Sequence, residues 1–316
     1  MKKEKFHSSL FPVDIDIDLG DDGSPATRPK PKRSIGTILV EAGVLSKDDA
    51  MRVMEYQNEE GLRFGEAAIR LGLISKGDIQ YALSYQYEYE YLPKSAGKNL
   101  HPDLVAGYKP FSHEVDQLRA IRSQLKLRWF EETDGNGMLS VVSASRGDGT
   151  SYLVANLAVV FAQMGEKTLL IDTNMRAPKQ HAIFKVNNQL GFSSLLAGRS
   201  DVASAIHKVD FNRNLEVIPA GPVPPNPLEL LNRDNLEELF GWARENYDIV
   251  LIDTPAMSGG ADAMLVAAKA GAALLIARAN ETKVADFNTM VEEMKRSKVN
   301  IVGSVLNNPP LINVAG

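Results

Sequence analysis

One stretch of this chain, residues 138–176, restricts the possible folds more than any other. It begins with an apolar run, Met138 to Val142, and passes through a glycine-containing turn into a helical pattern of apolar residues. A second apolar run, Thr168 to Ile171, follows and ends at Asp172. This order of strand, turn, helix and strand is typical of loops that bind phosphate, because glycines expose backbone N–H groups beside a helix N-terminus.

The turn itself has lost one expected residue. It reads Arg146-Gly147-Asp148-Gly149-Thr150-Ser151, and each of these six residues is a candidate for nucleotide binding. A phosphate loop ordinarily ends in Gly-Lys-Ser or Gly-Lys-Thr, and its lysine reaches the β- and γ-phosphates. The lysine position here is Thr150. We therefore predict a phosphate loop that works without this positive charge.

The remainder of the chain alternates between continuous apolar runs and amphipathic helical patterns. This alternation predicts an α/β domain with a mostly parallel sheet, of the P-loop NTPase type, covered by helices on both faces. The predicted strands after Asp172 are 215–218, 249–253, 272–277 and 299–306, and the predicted helices are 178–184, 192–197, 227–245, 261–270 and 284–297.

Asp172 and Asp253 are the candidate catalytic acids, because each closes a predicted buried strand. Ligands of such sheets lie beyond the carboxyl ends of the strands. In phosphoryl transfer a carboxylate there holds Mg²⁺ together with the loop hydroxyl, here Ser151. We therefore assign Ser151, Asp172 and Asp253 to a Mg²⁺ site and expect ATP or ADP as the nucleotide. Either aspartate alone is also compatible with a simple loop or helix cap.

Composition excludes several classes of function. A net charge of −5 argues against a broad nucleic-acid surface, and the absence of cysteine excludes disulfides and thiolate chemistry. No apolar run approaches the roughly 20 residues that span a bilayer. We expect a cytoplasmic protein that is peripheral to the inner membrane through a partner. Its 316 residues suffice for about two domains.

Two segments have few apolar positions and are predicted to lie outside the domains. Residues 1–32 are acidic and then rich in proline and lysine, which predicts a disordered tail, and residues 93–112 are predicted to be a linker. A helical pattern begins at Glu114, with Val115, Leu118, Ile121, Leu125 and Leu127 near one face. Tyrosines cluster at positions 81, 85, 87, 89 and 91, and the four at alternate positions, 85 to 91, predict an extended edge strand; a role as phosphoacceptors is the alternative.

Residues 33–92 contain an internal repeat with an offset of 29 residues. Ser34 to Leu39 corresponds to Arg63 to Ala68, and Gly43 to Ser46 corresponds to Gly72 to Ser75. Each unit is predicted to be two short helices, the second capped by its serine. One unit alone could not bury its apolar face, so we expect the two to pack as a small helical domain.

This tandem repeat resembles the N-terminal domain of type II secretion and pilus-extension ATPases, the MshEN type. The resemblance implies binding of cyclic di-GMP, and the residues that match its motif are Arg63, Gln57 and Gln86. The first arginine of the motif is Ser34 here. A docking module that binds no nucleotide is the alternative interpretation.

The C-terminal two-thirds resembles the cytoplasmic domain of bacterial tyrosine autokinases, and within that family the exopolysaccharide chain-length-determinant kinases of the EpsG type. The turn occupies the Walker A position, and Ile252-Asp253-Thr254-Pro255 occupies that of Walker B. The resemblance implies nucleotide contacts from Arg176, and from Asn307 to adenine. The remaining matching segments are Asp116-x-x-Arg119-x-x-Arg122, 169–178 and 221–231.

The resemblance also implies partners. The Asp116, Arg119 and Arg122 helix corresponds to an oligomerisation motif, which implies a homo-oligomer, and the family acts with a membrane chain-length regulator of the Wzz-like kind. Three departures from the family pattern concern catalysis: Thr150 replaces the Walker A lysine, Asn174 replaces the second acid of Asp-x-Asp-x-Arg, and residues 307–316 contain no tyrosine.

These departures leave several functions open. The first is a kinase fold with weak or lost catalysis, which serves as partner of the membrane regulator. The second is an active ATP-dependent tyrosine autokinase, and the third is a partition-type ATPase similar to ParA or MinD. A cyclic-di-GMP receptor function is compatible with each of them.

Overall fold

The computed structural model describes residues 34–86, 101–132 and 137–308, with side chains up to residue 83 in the first range. The predicted tail at 1–32 lies outside these residues, as do Tyr87, Tyr89 and Tyr91. Each helix and strand below is numbered in chain order within the described part.

The repeat forms four helices, as predicted. Each unit has a short first helix and a longer second one, and Gly43 and Gly72 follow the first helices with φ of +66° and +68°. Ser46 caps its helix, since its hydroxyl accepts from the backbone N–H of Asp49 at 3.0 Å. The helices are α1 (Ile35–Glu41), α2 (Lys47–Glu60), α3 (Phe64–Arg70) and α4 (Lys76–Gln86).

Close packing joins the two units of the repeat. The apolar side chains form one buried cluster that draws on both units. Gly36 lies against the Phe64 ring, where an added Cβ would be 3.0 Å from Cζ, and Gly65 lies against Ile79. The two units therefore share a core, as expected for repeats that cannot bury an apolar face alone. Its most buried members are Ile38, Leu39, Val53, Ala67, Ala68 and Ala82.

The predicted edge strand of tyrosines is wrong where the structure describes it. Tyr81 and Tyr85 lie inside α4, the second helix of the second unit. The alternation of tyrosines resembles a strand only locally. By the 29-residue offset of the repeat, this segment corresponds to α2 of the first unit, which is helical. Packing within the repeat, and not the β-propensity of tyrosine, therefore determines the conformation of this segment.

The predicted linker is also shorter than expected. Residues 101–112 include the short helix α5 (Val105–Tyr108), and Leu104 and Ala106 are fully buried in the core of the sheet domain. Asn156 binds this segment with both ends of its amide: Oδ1 accepts from Ala106 N at 3.0 Å and Nδ2 donates to Asp103 O at 2.7 Å. The segment is thus part of the domain, and its anchor is a distant asparagine that local composition does not reveal.

The helix after it, α6 (His113–Leu125), ends in a single π turn at Lys126–Phe130. Val115, Leu118 and Leu125 are buried as predicted, but Leu127 is 61% exposed and Phe130 takes the inner position. The π turn inserts an extra residue per turn and so rotates the apolar face past Leu127.

A seven-stranded sheet follows, in the order β3-β4-β2-β5-β1-β6-β7. Every neighbouring pair is parallel except β3 and β4, which are antiparallel. The strands are β1 (Met138–Ser143), β2 (Thr168–Asp172), β3 (His207–Val209), β4 (Asn212–Ile218), β5 (Ile249–Asp253), β6 (Ala272–Arg278) and β7 (Asn300–Asn307). The α/β fold with a mostly parallel sheet is confirmed; the short edge strand β3 was not predicted.

Helices cover both faces of this sheet. The central strands are buried along their whole length, and alternate residues contact cores on opposite faces. The predicted helix 227–245 is two helices, because Asn232 and Asp234 interrupt it. The helices are α7 (Thr150–Ala162), α8 (Gln180–Phe184), α9 (Phe192–Leu196), α10 (Val202–Ala205), α11 (Pro227–Leu231), α12 (Asn235–Asn246), α13 (Asp262–Ala270) and α14 (Val284–Arg296).

Among the described residues, no helix is both long enough and apolar enough to cross a membrane.

Candidate nucleotide-binding site

The strand order brings the predicted site residues to one edge of the sheet. β5 lies between β1 and β2, and Asp172 at the end of β2 is the direct register partner of Asp253 at the end of β5. The loop that follows β1 leads into α7 at this same edge. Parallel strands bind ligands beyond their carboxyl ends. The loop and both aspartates therefore meet at the place where a phosphate ligand is expected.

Two glycines give the loop its shape. Gly147 and Gly149 have φ of +93° and +100°, which other residues rarely adopt. A Cβ on Gly147 would meet nothing within 4 Å, so open space adjoins the loop there. Thr150 is the first residue of α7, and its side chain is buried. The backbone thus has the form of a phosphate loop, and its lysine position presents a short neutral side chain.

Asp148 holds the loop in place from within. It is 3% exposed, its Oδ2 accepts from Ser145 N at 3.0 Å, and its Oδ1 accepts from Thr282 Oγ1 at 2.7 Å. Both carboxylate oxygens are therefore used inside the protein. The carboxylate of Asp148 is thus structural, and nucleotide binding by this residue, through its backbone N–H, stays a prediction.

The ends of β6 and β7 support the other side of the loop. Asn307 Nδ2 donates to Asp148 O at 2.8 Å and packs so closely on Gly149 that no Cβ would fit there. Arg278 Nη1 lies 3.5 Å from Gly147 O. Asn307 thus supports the loop, and its contact with adenine stays a prediction. Arg278 and Thr282 were missed, because only the strand order places β6 beside β1.

Asp172 is fully engaged by backbone groups. It is completely buried, and its oxygens accept from the N–H groups of Asn174 (3.0 Å), Lys179 (3.2 Å) and Gln180 (3.0 Å). Burial, and next the charge of Asp253, raise its pKa to about 8, although the three N–H donors oppose this shift.

Asp253 is equally buried but less engaged. Its Oδ2 accepts from Gln180 Nε2 at 2.7 Å, whereas its Oδ1 has no hydrogen-bond partner. Burial raises its pKa to about 6, and hydrogen bonds from Gln180 and Ser151, together with the charge of Lys179, lower it. A buried carboxylate oxygen without a donor is rare in proteins and calls for a ligand.

Gln180 connects the aspartates to the loop. Its Nε2 also donates to Ser151 O at 3.0 Å, and its Oε1 is buried without a partner. It lies at the start of α8, on the segment whose N–H groups hold Asp172. No motif predicts Gln180 as a site residue, because glutamine has no fixed place in phosphate-loop motifs.

The residues present fit a bound Mg²⁺. Asp253 has a free buried oxygen, and Ser151 hydrogen-bonds to the same carboxylate. Carboxylate and hydroxyl oxygens are hard ligands, which Mg²⁺ prefers, and the ion keeps waters for its other positions. Asp172 fits less well as a direct ligand, because both of its oxygens already accept hydrogen bonds.

Comparison with known proteins places this geometry in a family. Residues 138–277 match the AAA domain family AAA_31. The chain is 33% identical over 220 residues to the tyrosine-protein kinase YwqD of Bacillus subtilis strain 168, which covers 70% of this chain and 92% of the relative. The chain belongs to the family of bacterial tyrosine kinases. It is also 34% identical over 204 residues to the tyrosine-protein kinase Etk of Escherichia coli K12, over 65% of this chain.

Solved structures of bacterial tyrosine kinases share the fold. The kinase domain of Escherichia coli ETK aligns with a TM-score of 0.62 and 32% identity, over 67% of this chain and 82% of that domain. The BceF tyrosine kinase domain aligns with a TM-score of 0.61 and 26% identity, over 69% of this chain and 86% of that domain. The chain spans 28% of the length of the Escherichia coli kinase Etk, so the shared sequence is only a part of that protein.

Two residues of the Asp-x-Asp-x-Arg segment of bacterial tyrosine kinases point to neighbours within the chain. Asn174 Oδ1 accepts from Ala177 N at 3.0 Å, which closes a local turn. Arg176 forms an ion pair with Asp262, with Nε 2.7 Å from Oδ2. Asp262 is almost fully buried, and this pairing raises the pKa of Arg176 further. Arg176 therefore faces the start of α13 rather than the loop.

Arg146, the first residue of the loop, is exposed. Its guanidinium has no ion pair among the residues described here, and its planar fork is not equivalent to the lysine that the family carries at position 150.

The oligomerisation segment of bacterial tyrosine kinases lies on α6. Arg119 Nη1 is 2.8 Å from Asp116 Oδ1, and Arg122 Nη1 donates to Val160 O at 2.8 Å. Arg122 thus also fastens α6 to α7, a role inside the chain. Oligomer formation through these residues stays a prediction.

The three residues predicted to bind cyclic di-GMP lie in the repeat. Arg63 is exposed and precedes α3, while Gln57 is half-buried near the end of α2. Gln86 is the last residue of α4, and its side chain lies outside the described part. Whether the three residues share a face stays a prediction.

Proposed function

We propose that this protein is a nucleotide-binding relative of the bacterial tyrosine kinases whose phosphoryl transfer is weak or lost. In this proposal it is a cytoplasmic protein of the EpsG type that acts in exopolysaccharide export as partner of a Wzz-like membrane chain-length regulator. The observation that carries the proposal is Thr150. This short, buried, neutral residue occupies the lysine position at the start of α7, although the glycines of the loop and Ser151 are present.

Nucleotide binding and phosphoryl transfer require different groups in the site, so one can be kept while the other is lost. When bound, ATP would supply the phosphoryl group and Mg²⁺ would neutralise phosphate charge, and Ser151 and Asp253 would hold the metal. The loop glycines leave space for phosphate, and the N-terminus of α7 favours its negative charge. Transfer needs charge stabilisation in the transition state beyond that of binding. Loss of one such group typically costs about 3–4 kcal/mol, or roughly 10²–10³ in rate.

The second departure supports the same conclusion. Asn174 replaces a carboxylate and is used in a local turn with Ala177. A neutral amide at this position cannot serve as a metal-facing acid. Asp172, the remaining acid of the segment, has its lone pairs directed at three backbone N–H groups. Only Asp253 retains a free carboxylate oxygen.

Incubation with labelled ATP and Mg²⁺ tests this proposal. We expect the protein to bind the nucleotide but to label tyrosine at least about 100-fold more slowly than the double variant T150K/N174D. The variant Asp253→Ala in that background is the control and should abolish labelling. Rapid tyrosine labelling by the unmodified protein would instead identify an active autokinase. ATP hydrolysis without labelling would favour the partition-type ATPase.

We propose the repeat as a second binding module, of the MshEN type, for cyclic di-GMP or for a protein partner. Arg63 supports it, because this exposed arginine lies where the two helices of different units meet. Calorimetry should show cyclic di-GMP binding that weakens about tenfold or more in Arg63→Ala, since charge-assisted hydrogen bonds to phosphate contribute about 1.5–3 kcal/mol. No heat with the unmodified protein would leave the docking module as the function of the repeat.

A further inference from the structure

The described part of the site contains three buried carboxylates, Asp148, Asp172 and Asp253, and no loop lysine. Three arginines lie near it. Arg176 is paired with Asp262, and Arg278 donates towards a backbone oxygen of the loop. Arg146 extends from the exposed side of the loop. Within the described residues, none of these three arginines forms an ion pair or hydrogen bond with Asp172 or Asp253.

Lys179 lies on the segment that joins the aspartates to the loop. Its own N–H donates to Asp172 Oδ2 at 3.2 Å. The next residue, Gln180, donates to Asp253 Oδ2 at 2.7 Å and to Ser151 O at 3.0 Å. The backbone of Lys179 is thus fixed, through its neighbour, to the strand that carries one acid and to the first turn of α7.

The side chain of Lys179 is available to a ligand. Lys179 is exposed, and within the described residues its ammonium has no ion pair or hydrogen bond. Its charge acts on the site, because it lowers the pKa of Asp253. A lysine reaches far from its backbone on a flexible four-carbon stem and presents a compact point charge with three donors. These are the properties that a phosphate loop normally takes from its own lysine.

We propose that Lys179 is the phosphate-binding cation of this site, in place of the lysine that the loop lacks, and that Gln180 is its positioning residue. The ligand is a nucleoside diphosphate or triphosphate with Mg²⁺, so this inference rests on the proposed nucleotide binding. The ammonium approaches from the β2 side of the pocket rather than from the helix that begins at position 150. The affinity for the nucleotide is thereby retained. The positive charge of Lys179, however, does not lie where the transition state of phosphoryl transfer requires it.

Calorimetry with Mg²⁺–ADP and with adenosine tests the assignment on the full chain. The variants are Lys179→Gln, the matched surface control Lys208→Gln on β3, and Thr150→Lys in both backgrounds. We expect Lys179→Gln to weaken ADP binding about tenfold or more and to leave adenosine binding unchanged, as loss of a charge-assisted contact to phosphate predicts. Lys208→Gln should bind both ligands as the unmodified protein does. Thr150→Lys should improve ADP binding more in the Lys179→Gln background than in the unmodified one, because the two lysines would serve one phosphate group.

Each other result counts against the assignment. Unchanged ADP binding by Lys179→Gln overturns it and leaves the proposed function intact. Equal losses for ADP and adenosine indicate a structural role and also overturn it. If the unmodified protein binds neither ADP nor ATP, the proposed nucleotide binding fails, and the role of Lys179 fails with it.

Discussion

Asp172 and Asp253 occupy equivalent positions on adjacent strands, yet their surroundings differ. Both are fully buried and directly opposed in register. Asp172 accepts three backbone N–H groups from the segment that follows it, whereas Asp253 receives a side-chain amide on one oxygen and leaves the other without a partner. Two acids that a motif treats as a pair thus have separate tasks. The first organises the chain, and the second is left available to a ligand.

The difference predicts opposite effects of removing each carboxylate. The largest effect is expected for Asp172→Ala, which leaves three buried N–H groups without an acceptor. At about pH 4, where the raised pKa of Asp172 costs the folded state little, we expect it to lower the free energy of unfolding by about 3 kcal/mol or more. Urea unfolding measures this change.

Asp201→Ala is the matched control for that variant. Asp201 caps the short helix α10 by accepting from Ser204 N at 2.8 Å, and it is exposed. Loss of such a cap costs about 1 kcal/mol. If Asp172→Ala costs no more than the control, Asp172 does not organise its segment.

Asp253→Asn is expected to stabilise the ligand-free protein. The carbonyl of asparagine still accepts from Gln180, and no charge remains to be buried. The folded-state pKa of Asp253, about 6, exceeds the 3.8 of the unfolded chain. The unfolded state therefore loses its proton first as pH rises, and the contribution of Asp253 to stability falls between about pH 4 and pH 6.

Relative to the unmodified protein, Asp253→Asn should thus gain about 3 kcal/mol at pH 8 and little at pH 4. Urea unfolding at the two pH values gives the difference, in which the titration of distant groups cancels; the pKa of Asp172 falls in the variant, because the charge of Asp253 no longer raises it, and this adds to the gain at pH 8. The same variant should no longer gain ADP affinity from Mg²⁺. A variant that is less stable than the unmodified protein at pH 8 would mean that the Asp253 carboxylate is stabilising rather than available.

The smallest effect is expected for Asn174→Asp. Aspartate keeps the oxygen that accepts from Ala177 N, so the local turn is preserved. We expect the free energy of unfolding to change by less than about 0.5 kcal/mol, as for most half-exposed positions. Thermal or urea unfolding at neutral pH measures this. A much larger loss would show that repulsion from Asp172, and not the turn, determines the residue at this position.

The sequence predicted the fold well, because its signals are periodic and local. Continuous apolar runs identified the parallel strands, and capping serines with a repeat offset identified α1 to α4. The fold prediction was wrong where a contact with a residue distant in the sequence determines the local structure. The segment around Ala106 is ordered by Asn156, and the helical state of Tyr81 and Tyr85 follows from packing between repeat units.

The site was predicted in part for the same reason. Motif spacing located the loop, Asp172 and Asp253, but it could not distinguish the roles of the two acids. That distinction depends on Gln180 and on the backbone of Lys179, which reach the site through a turn after β2. Arg278 and Thr282 come from a strand that only the sheet order places beside the loop.

The amide of Asn156 has a mechanical consequence. It holds the backbone at Asp103 and Ala106, on the chain that leads back to the repeat. It also lies six residues into α7, roughly 9 Å along the axis from the first turn of that helix. A displacement of Asp103 or Ala106 would therefore act first on α7, whose first turn belongs to the proposed phosphate site, and only then on the strands of the sheet.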